Sequence, residues 1–129
     1  MLHHACDDKW FMFLICSAVT IDVRPATFEF VAARVVACHY TCTVITVYRP
    51  GSEAVSMAFF DELAELLDQV ATLSEPIHVT GDFNVRLERA DDVNASRLID
   101  LLAGYGLDVH VTTPTHRMSG TLHLSLIHI

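Results

Sequence analysis

Two kinds of apolar pattern divide this chain, and each predicts its own elements. Cys42 to Val47 reads Cys-Thr-Val-Ile-Thr-Val, β-branched almost throughout, and predicts a strand. Phe28 to Ala37, rich in Val and Phe, predicts a buried strand before it, with His39-Tyr40-Thr41 as the turn of an antiparallel hairpin. Tyr48-Arg49-Pro50-Gly51-Ser52 closes the second strand with turn chemistry at Pro50 and Gly51. Helical spacing then takes over. Ser56 is placed to cap a helix of about four turns in which Phe59, Phe60, Leu63, Leu66, Leu67 and Val70 form one stripe. Asp61, Glu62, Glu65 and Asp68 fall mostly between them and read as a solvated acidic face. Ile77 to Thr80 is a short apolar run bounded upstream by Pro76, and predicts a third strand. Arg86 to Val93 is polar and reads as a loop. Asn94 is the expected cap of a second helix, Ala95 to Ala103, with Leu98, Ile99, Leu101 and Leu102 as its apolar face and Gly104 and Gly106 as its stop. Leu107 to Val111 predicts a short strand, residues 112–117 a polar loop, and a last apolar run begins at Thr121. The order strand, strand, helix, strand, helix, strand, strand predicts an α/β (α+β) domain, a mixed sheet with helices packed on it.

Composition sharpens this picture. With 129 residues, 52% of them hydrophobic, the chain can build one core and not two. The formal net charge of −8 counts against a dedicated nucleic-acid coat, which shows a basic face. An acidic chain can still act on nucleic acid through a cleft that is locally basic or metal-loaded. Trp10 to Val19 is strongly apolar but spans about ten residues, half of the roughly twenty that cross a bilayer. Asp7 and Asp8 precede it where a signal peptide carries positive charge, so it reads as a buried strand pair, and no membrane partner is expected. His3, His4 and Cys6 could grip a transition metal, but read more simply as chance residues at a frayed terminus. Cys6, Cys16, Cys38 and Cys42 include no Cys-x-x-Cys pair, which argues against a zinc ribbon. Cys38 and Cys42 could face each other across the hairpin, though free thiols are the expected state.

Ile77 to Val85, Ile-His-Val-Thr-Gly-Asp-Phe-Asn-Val, is the stretch that offers chemistry. Gly81 permits a turn or the close approach of another chain. In an extended backbone Asp82 and Asn84 point to one face and Phe83 to the other, into packing. A carboxylate and an amide side by side suit a phosphate-and-cation site: the carboxylate orients water or holds a hard cation, and the amide donates to a phosphoryl oxygen. The plainer reading is a strand end whose Asp and Asn satisfy turn amides. Tyr48 and Arg49 close the earlier strand with a phenol and with a planar fork suited to phosphate. Tyr48 alone reads equally as a half-buried aromatic at a strand end.

These blocks, taken in order, resemble the endonuclease/exonuclease/phosphatase family, and within it the endonuclease domains of non-LTR (LINE-type) retrotransposon polyproteins. The resemblance runs over residues 27–122. It is carried by Thr27-Phe28-Glu29, by Val44 to Pro50 ending Val-Tyr-Arg-Pro, by the Phe59-Phe60 helix and by Gly81-Asp82-Phe83-Asn84. It continues through Leu101-Leu102, Tyr105-Gly106-Leu107, Pro114-Thr115-His116 and Gly120-Thr121-Leu122. Gly-Asp-Phe-Asn is short, and the ordered series is what carries weight. It implies part of a four-layered α/β sandwich, with residues 27–123 as a partial domain and Mg2+- or Mn2+-dependent hydrolysis of a DNA phosphodiester in the intact parent. By that likeness Asp82 orients the attacking water and is the metal residue, Asn84 holds the scissile phosphate, and Tyr48 contacts that phosphate or assists the leaving oxygen. Arg49, His116 and Arg117 lie in stretches that could touch the DNA backbone. A hard cation, a carboxylate and neutral donors around a pentavalent phosphate stabilise its developing charge.

The chain also departs from the family pattern. The family's early Asn and metal-binding Glu have no counterpart before Thr27, so residues 1–26 are of open assignment. His123 stands where the family has an Asp that supports the catalytic His, and the closing Ser-Asp-His motif is not in this sequence. Leu124 to Ile129 looks like the translation of a transposase-type sequencing-library adapter, yet its apolar pattern still reads as a strand. The expectations are therefore an inactive, self-associating fragment whose intact parent is intracellular, nuclear, and nicks target DNA. The alternatives are a non-catalytic remnant or scaffold, or a family phosphatase acting on a small phosphorylated molecule.

Overall fold

A computed structural model describes residues 14–87, 89, 91–109 and 123–128. The described residues form one sheet of six strands and two helices. The strands are β1 (Leu14–Ala18), β2 (Glu29–Ala37), β3 (Tyr40–Tyr48), β4 (Ile77–Asp82), β5 (Leu107–Val109) and β6 (His123–His128), and the helices are α1 (Met57–Val70) and α2 (Val93–Gly104). The order across the sheet is β1-β2-β3-β4-β6-β5. β1, β2 and β3 are antiparallel neighbours, β3 and β4 run parallel, and β6 pairs antiparallel with both β4 and β5. The class is α+β with a mixed sheet, as the strand and helix order predicts.

The parallel pair exists because α1 carries the chain back across the sheet, as a parallel connection requires. Ser56 caps α1 as expected, its Oγ accepting from the Phe59 N–H at 3.3 Å. The predicted stripe is the buried one: Phe59, Phe60, Leu63, Leu66, Leu67 and Val70. They join Ile45, Val47, Ile77 and Val79 of the sheet and Leu98 and Leu102 of α2 in one core. Phe28 closes that core edge-to-face on Phe59, at 5.8 Å between ring centroids.

Several boundaries differ from the sequence reading, each for a local reason. The hairpin turn is Cys38–His39 rather than 39–41, because Cys38 takes a positive φ of 48° and Tyr40 already pairs with Ala37. Cys42 therefore pairs with Val35, not with Cys38, and Cys16, Cys38 and Cys42 are free. Asp92, not Asn94, caps α2, its Oδ1 accepting from the Asn94 and Ala95 N–H groups at 2.8 and 3.1 Å. Ile99 is exposed and Ala95 takes its place on the buried face. The apolar run at 10–19 contributes a single edge strand, not a buried pair: Ile15 and Cys16 are exposed, and residues 10–13 lie outside the described residues. His123–His128, which includes five of the six adapter-like residues, sits as β6 between β4 and β5. Among the described residues no helix is long and apolar enough to cross a membrane.

Candidate active site

The site is built on the C-terminal ends of β3 and β4. Parallel pairing sets Val47 opposite Gly81 and Tyr48 opposite Asp82. The Val47–Gly81 crossing is too close for any other residue. A Cβ added at Gly81 would lie 2.0 Å from the Val47 carbonyl oxygen, and Gly81 has φ +130°. This is the close approach that a glycine inside a strand suggests. Antiparallel pairing with β2 sets Glu29 opposite Tyr48 on the other side. Glu29, Tyr48 and Asp82 thus stand in a row across three neighbouring strands. Val47 and Ile45 are fully buried, so alternation along β3 turns Tyr48 to the opposite face, where it is 49% exposed.

Beyond Asp82 the backbone leaves the extended form assumed from sequence. Asn84 adopts φ +51°, in the left-handed region that asparagine tolerates better than most residues. Asp82 Oδ1 accepts from the Asn84 N–H at 3.2 Å, closing a short turn of the kind aspartate favours. Phe83 does enter packing, fully buried. Asn84 Nδ2 donates to the Arg49 carbonyl oxygen at 2.6 Å, and Gly51 leaves room for that amide, since a Cβ there would sit 3.0 Å from Asn84 Oδ1. The amide nitrogen carries a second hydrogen, which this bond does not use.

Arg49 requires a correction. By the resemblance it lies in a stretch that could touch the DNA backbone; its side chain is 4% exposed and turned to the protein's own carbonyls. Nε donates to the Phe83 carbonyl at 2.7 Å, Nη1 to Glu53 O at 2.8 Å and Nη2 to Asn84 O at 2.7 Å. The guanidinium also lies 5.7 Å from the centre of the Phe59 ring. Burial pulls its pKa below the usual arginine value, and the charges of Asp82 and Glu53 oppose that shift. Planar geometry explains the placement: five fixed donors satisfy several convergent carbonyls. His116 and Arg117 lie outside the described residues.

A cleft of about 230 Å³ opens beside Tyr48, lined by Pro25, Thr27, Glu29, Pro50 and Glu53 among others. Glu62 holds Ala26 and Thr27 of its lining, a role that the sequence pattern hides, since the acidic face of α1 reads as solvated. Its carboxylate accepts from the Ala26 N–H at 2.7 Å, the Thr27 N–H at 2.9 Å and Thr27 Oγ1 at 2.5 Å. Partial burial alone would raise this carboxyl; the three donors outweigh it and hold it below the usual range. No periodicity signals such a contact, because it joins residues 35 and 36 positions apart.

Among the described residues, no three His, Cys, Asp or Glu side chains come together as a metal site. The row offers Asp82 and, on the far side of Tyr48, Glu29. Tyr48 separates these two carboxylates, so among the described residues Asp82 alone stands at the β3–β4 end as an oxygen donor, and a Mg2+ held there would take its other oxygens from water, substrate or residues outside the described ones. What the ends of β3 and β4 bring together is an amide hydrogen, a phenol and a carboxylate within one turn and one cross-strand step.

No protein-family model matches the chain, and no curated protein matches it. Solved structures do. The chain is similar to the endonuclease domain of TRAS1, a telomere-specific non-LTR retrotransposon, with a TM-score of 0.59 and 14% identity over 76% of this chain and 48% of that one. It is also similar to an endonuclease/exonuclease/phosphatase family protein from Leptotrichia buccalis C-1013-b, with a TM-score of 0.50 and 10% identity over 95% of this chain and 62% of that one. The chain therefore spans about half the length of the retrotransposon endonuclease domain it matches. The chain has part of the endonuclease/exonuclease/phosphatase fold.

Proposed function

We propose that this chain is the phosphate-binding part of a divalent-metal-dependent phosphodiesterase domain, which in the intact parent nicks DNA for retrotransposition. The observation that carries this reading is the Tyr48–Asp82 pairing at one end of the sheet, with Asn84 in the turn that follows. In it, Asp82 orients the attacking water, the free hydrogen of the Asn84 amide meets a phosphoryl oxygen, and the Tyr48 phenol donates to the same phosphate or to the leaving oxygen. In the parent, Mg2+ or Mn2+ supplies charge neutralisation at the phosphate. Asp82 is this chain's contribution to holding it, and the chain's described residues do not complete that set.

The chain on its own is accordingly expected to bind a phosphodiester weakly and not to cleave it, since losing part of a catalytic unit removes most of its rate. The test pairs two measurements. Binding of Mn2+ together with a short DNA duplex is followed by proton relaxation, and nicking of supercoiled plasmid is followed with Mg2+ or Mn2+, both beside Asp82→Ala. Asp82-dependent binding without nicking is the expected result. Absence of Asp82-dependent binding overturns the reading. Nicking that Asp82→Ala abolishes would show that the chain completes its own metal set, with Glu29 and Glu53 the first residues to examine.

A further inference from the structure

We infer that Arg49 is the positioning residue of this site, holding Asn84 in its left-handed conformation and so fixing where the Asp82–Asn84 turn presents its groups. This rests on the functional reading above. The three carbonyls that Arg49 gathers belong to two different loops: Glu53 follows β3, whereas Phe83 and Asn84 follow β4. The contact is reciprocal. The Arg49 N–H donates to Asp82 O at 2.9 Å, and the Asn84 amide donates back to Arg49 O at 2.6 Å. Each end of the turn is therefore tied to one residue, through its backbone and its side chain at once.

No carboxylate of the described residues lies within ion-pair distance of the guanidinium, although the charges of Asp82 and Glu53 favour its protonated form. Among the described residues the only ion pair is Arg34–Glu75, on the surface. A buried charge with no direct ion pair must have its donors satisfied by hydrogen bonds. Here three carbonyl dipoles and the Phe59 ring do the satisfying. Lysine offers a single nitrogen on a flexible stem and cannot span carbonyls from both loops in one plane. A left-handed non-glycine residue in turn persists where its surroundings over-determine it. The Arg49–Asn84 exchange is that over-determination.

The experiment uses the full chain, with Arg49→Lys and Gly51→Ala. The second variant leaves the buried charge alone and presses a methyl against Asn84 Oδ1, at 3.0 Å, to displace the amide from Arg49 O. Two signals are read by NMR at Asn84: the strong intraresidue amide-to-α-proton NOE that a positive φ gives, and amide exchange. A third is paramagnetic broadening at Asp82 by Mn2+ in the presence of a short DNA duplex. In Arg49→Lys the NOE is expected to weaken and the Asn84 amide to exchange about tenfold faster, while the amides of Ile45 and Leu66 keep their protection. Gly51→Ala is expected to do the same more mildly, and both should weaken Mn2+ broadening at Asp82. Unchanged Asn84 signals in both variants overturn the inference, as does loosening shared equally by Ile45 and Leu66, which marks a mere structural brace. Absence of Mn2+ broadening in the unsubstituted chain, with Asn84 still loosened in the variants, refutes the functional reading and leaves the positioning role standing.

Discussion

Tyr48 stands directly opposite Asp82 in the parallel register of β3 and β4, yet neither side chain belongs to the core. Side chains outside the core can be replaced at little cost in stability. Tyr48→Phe and Asp82→Asn are each expected to change unfolding free energy by less than about 0.5 kcal/mol, the range for surface substitutions. Asparagine retains the Oδ1 that accepts from the Asn84 N–H. Arg49→Met, by contrast, strips the donors from one buried and two part-buried carbonyls and should cost roughly 3 kcal/mol. Urea denaturation of the three variants checks the contrast.

Glu62 ties the 26–27 loop to α1, and its ionisation is coupled to that tie. Its folded-state pKa lies below its ordinary value of 4.5, despite the opposing effect of burial, because of the donors at Thr27 and Ala26. The carboxylate's contribution to stability is therefore present above about pH 4.5 and is lost as pH falls through the lowered folded value. Glu62→Gln should flatten the acid limb of a stability-against-pH curve and speed amide exchange at Ala26 and Thr27. An acid limb identical in both proteins would contradict this.

Tyr105 gives the opposite sign at the other end of the scale. Its phenol donates to Asp68 Oδ1 at 2.5 Å and lies 3.1 Å from the Ala64 carbonyl, joining the end of α2 to α1. Burial, then the Asp68 carboxylate, pushes its pKa up to about 12 from 10.0. The stabilisation is complete below pH 10 and is lost as pH rises through about 12. Tyr105→Phe should cost about 1 kcal/mol at neutral pH, a typical net hydrogen-bond value. It should also remove the alkaline decline seen by circular dichroism between those two values.

Val31 is 66% exposed on the sheet face that carries Tyr48, and Ile15 on the edge strand β1 is 45% exposed. Unpaired edges and exposed apolar residues invite association. The chain is expected to self-associate at micromolar concentration. Val31→Lys should shift its sedimentation toward the monomer, and a monomeric unsubstituted chain would defeat the expectation.

The sequence was most legible where one periodicity governed several residues. The α1 stripe from Phe59 to Val70 is buried to the last member, because amphipathic spacing alone decides which side of a long helix meets the sheet. The β-branched run at 42–47 likewise lies within β3. The site was legible in part. Gly81 was readable as a point of close approach, but the Asn84 turn was not, because extension and a left-handed bend are both open to Asp-Phe-Asn until neighbours choose. Arg49 misled for the same reason. A planar fork suits phosphate and backbone carbonyls alike, and only the convergence of the 53 and 83–84 loops decides between them. The Glu62 contact, joining α1 to a distant loop, leaves no local signature.

Gly81 does more than permit two strands to touch. A one-residue slip of β4 along β3 would carry Thr80 or Asp82 to the place where Gly81 now passes Val47, and either would drive a Cβ into that backbone. Such a slip would also exchange the two faces of β4, turning Val79 outward and Asp82 toward the core. The crossing thus works as an error check on assembly. The one alignment it admits is the one that sets a carboxylate beside a phenol, so the smallest side chain in the sheet decides which two reactive groups become neighbours.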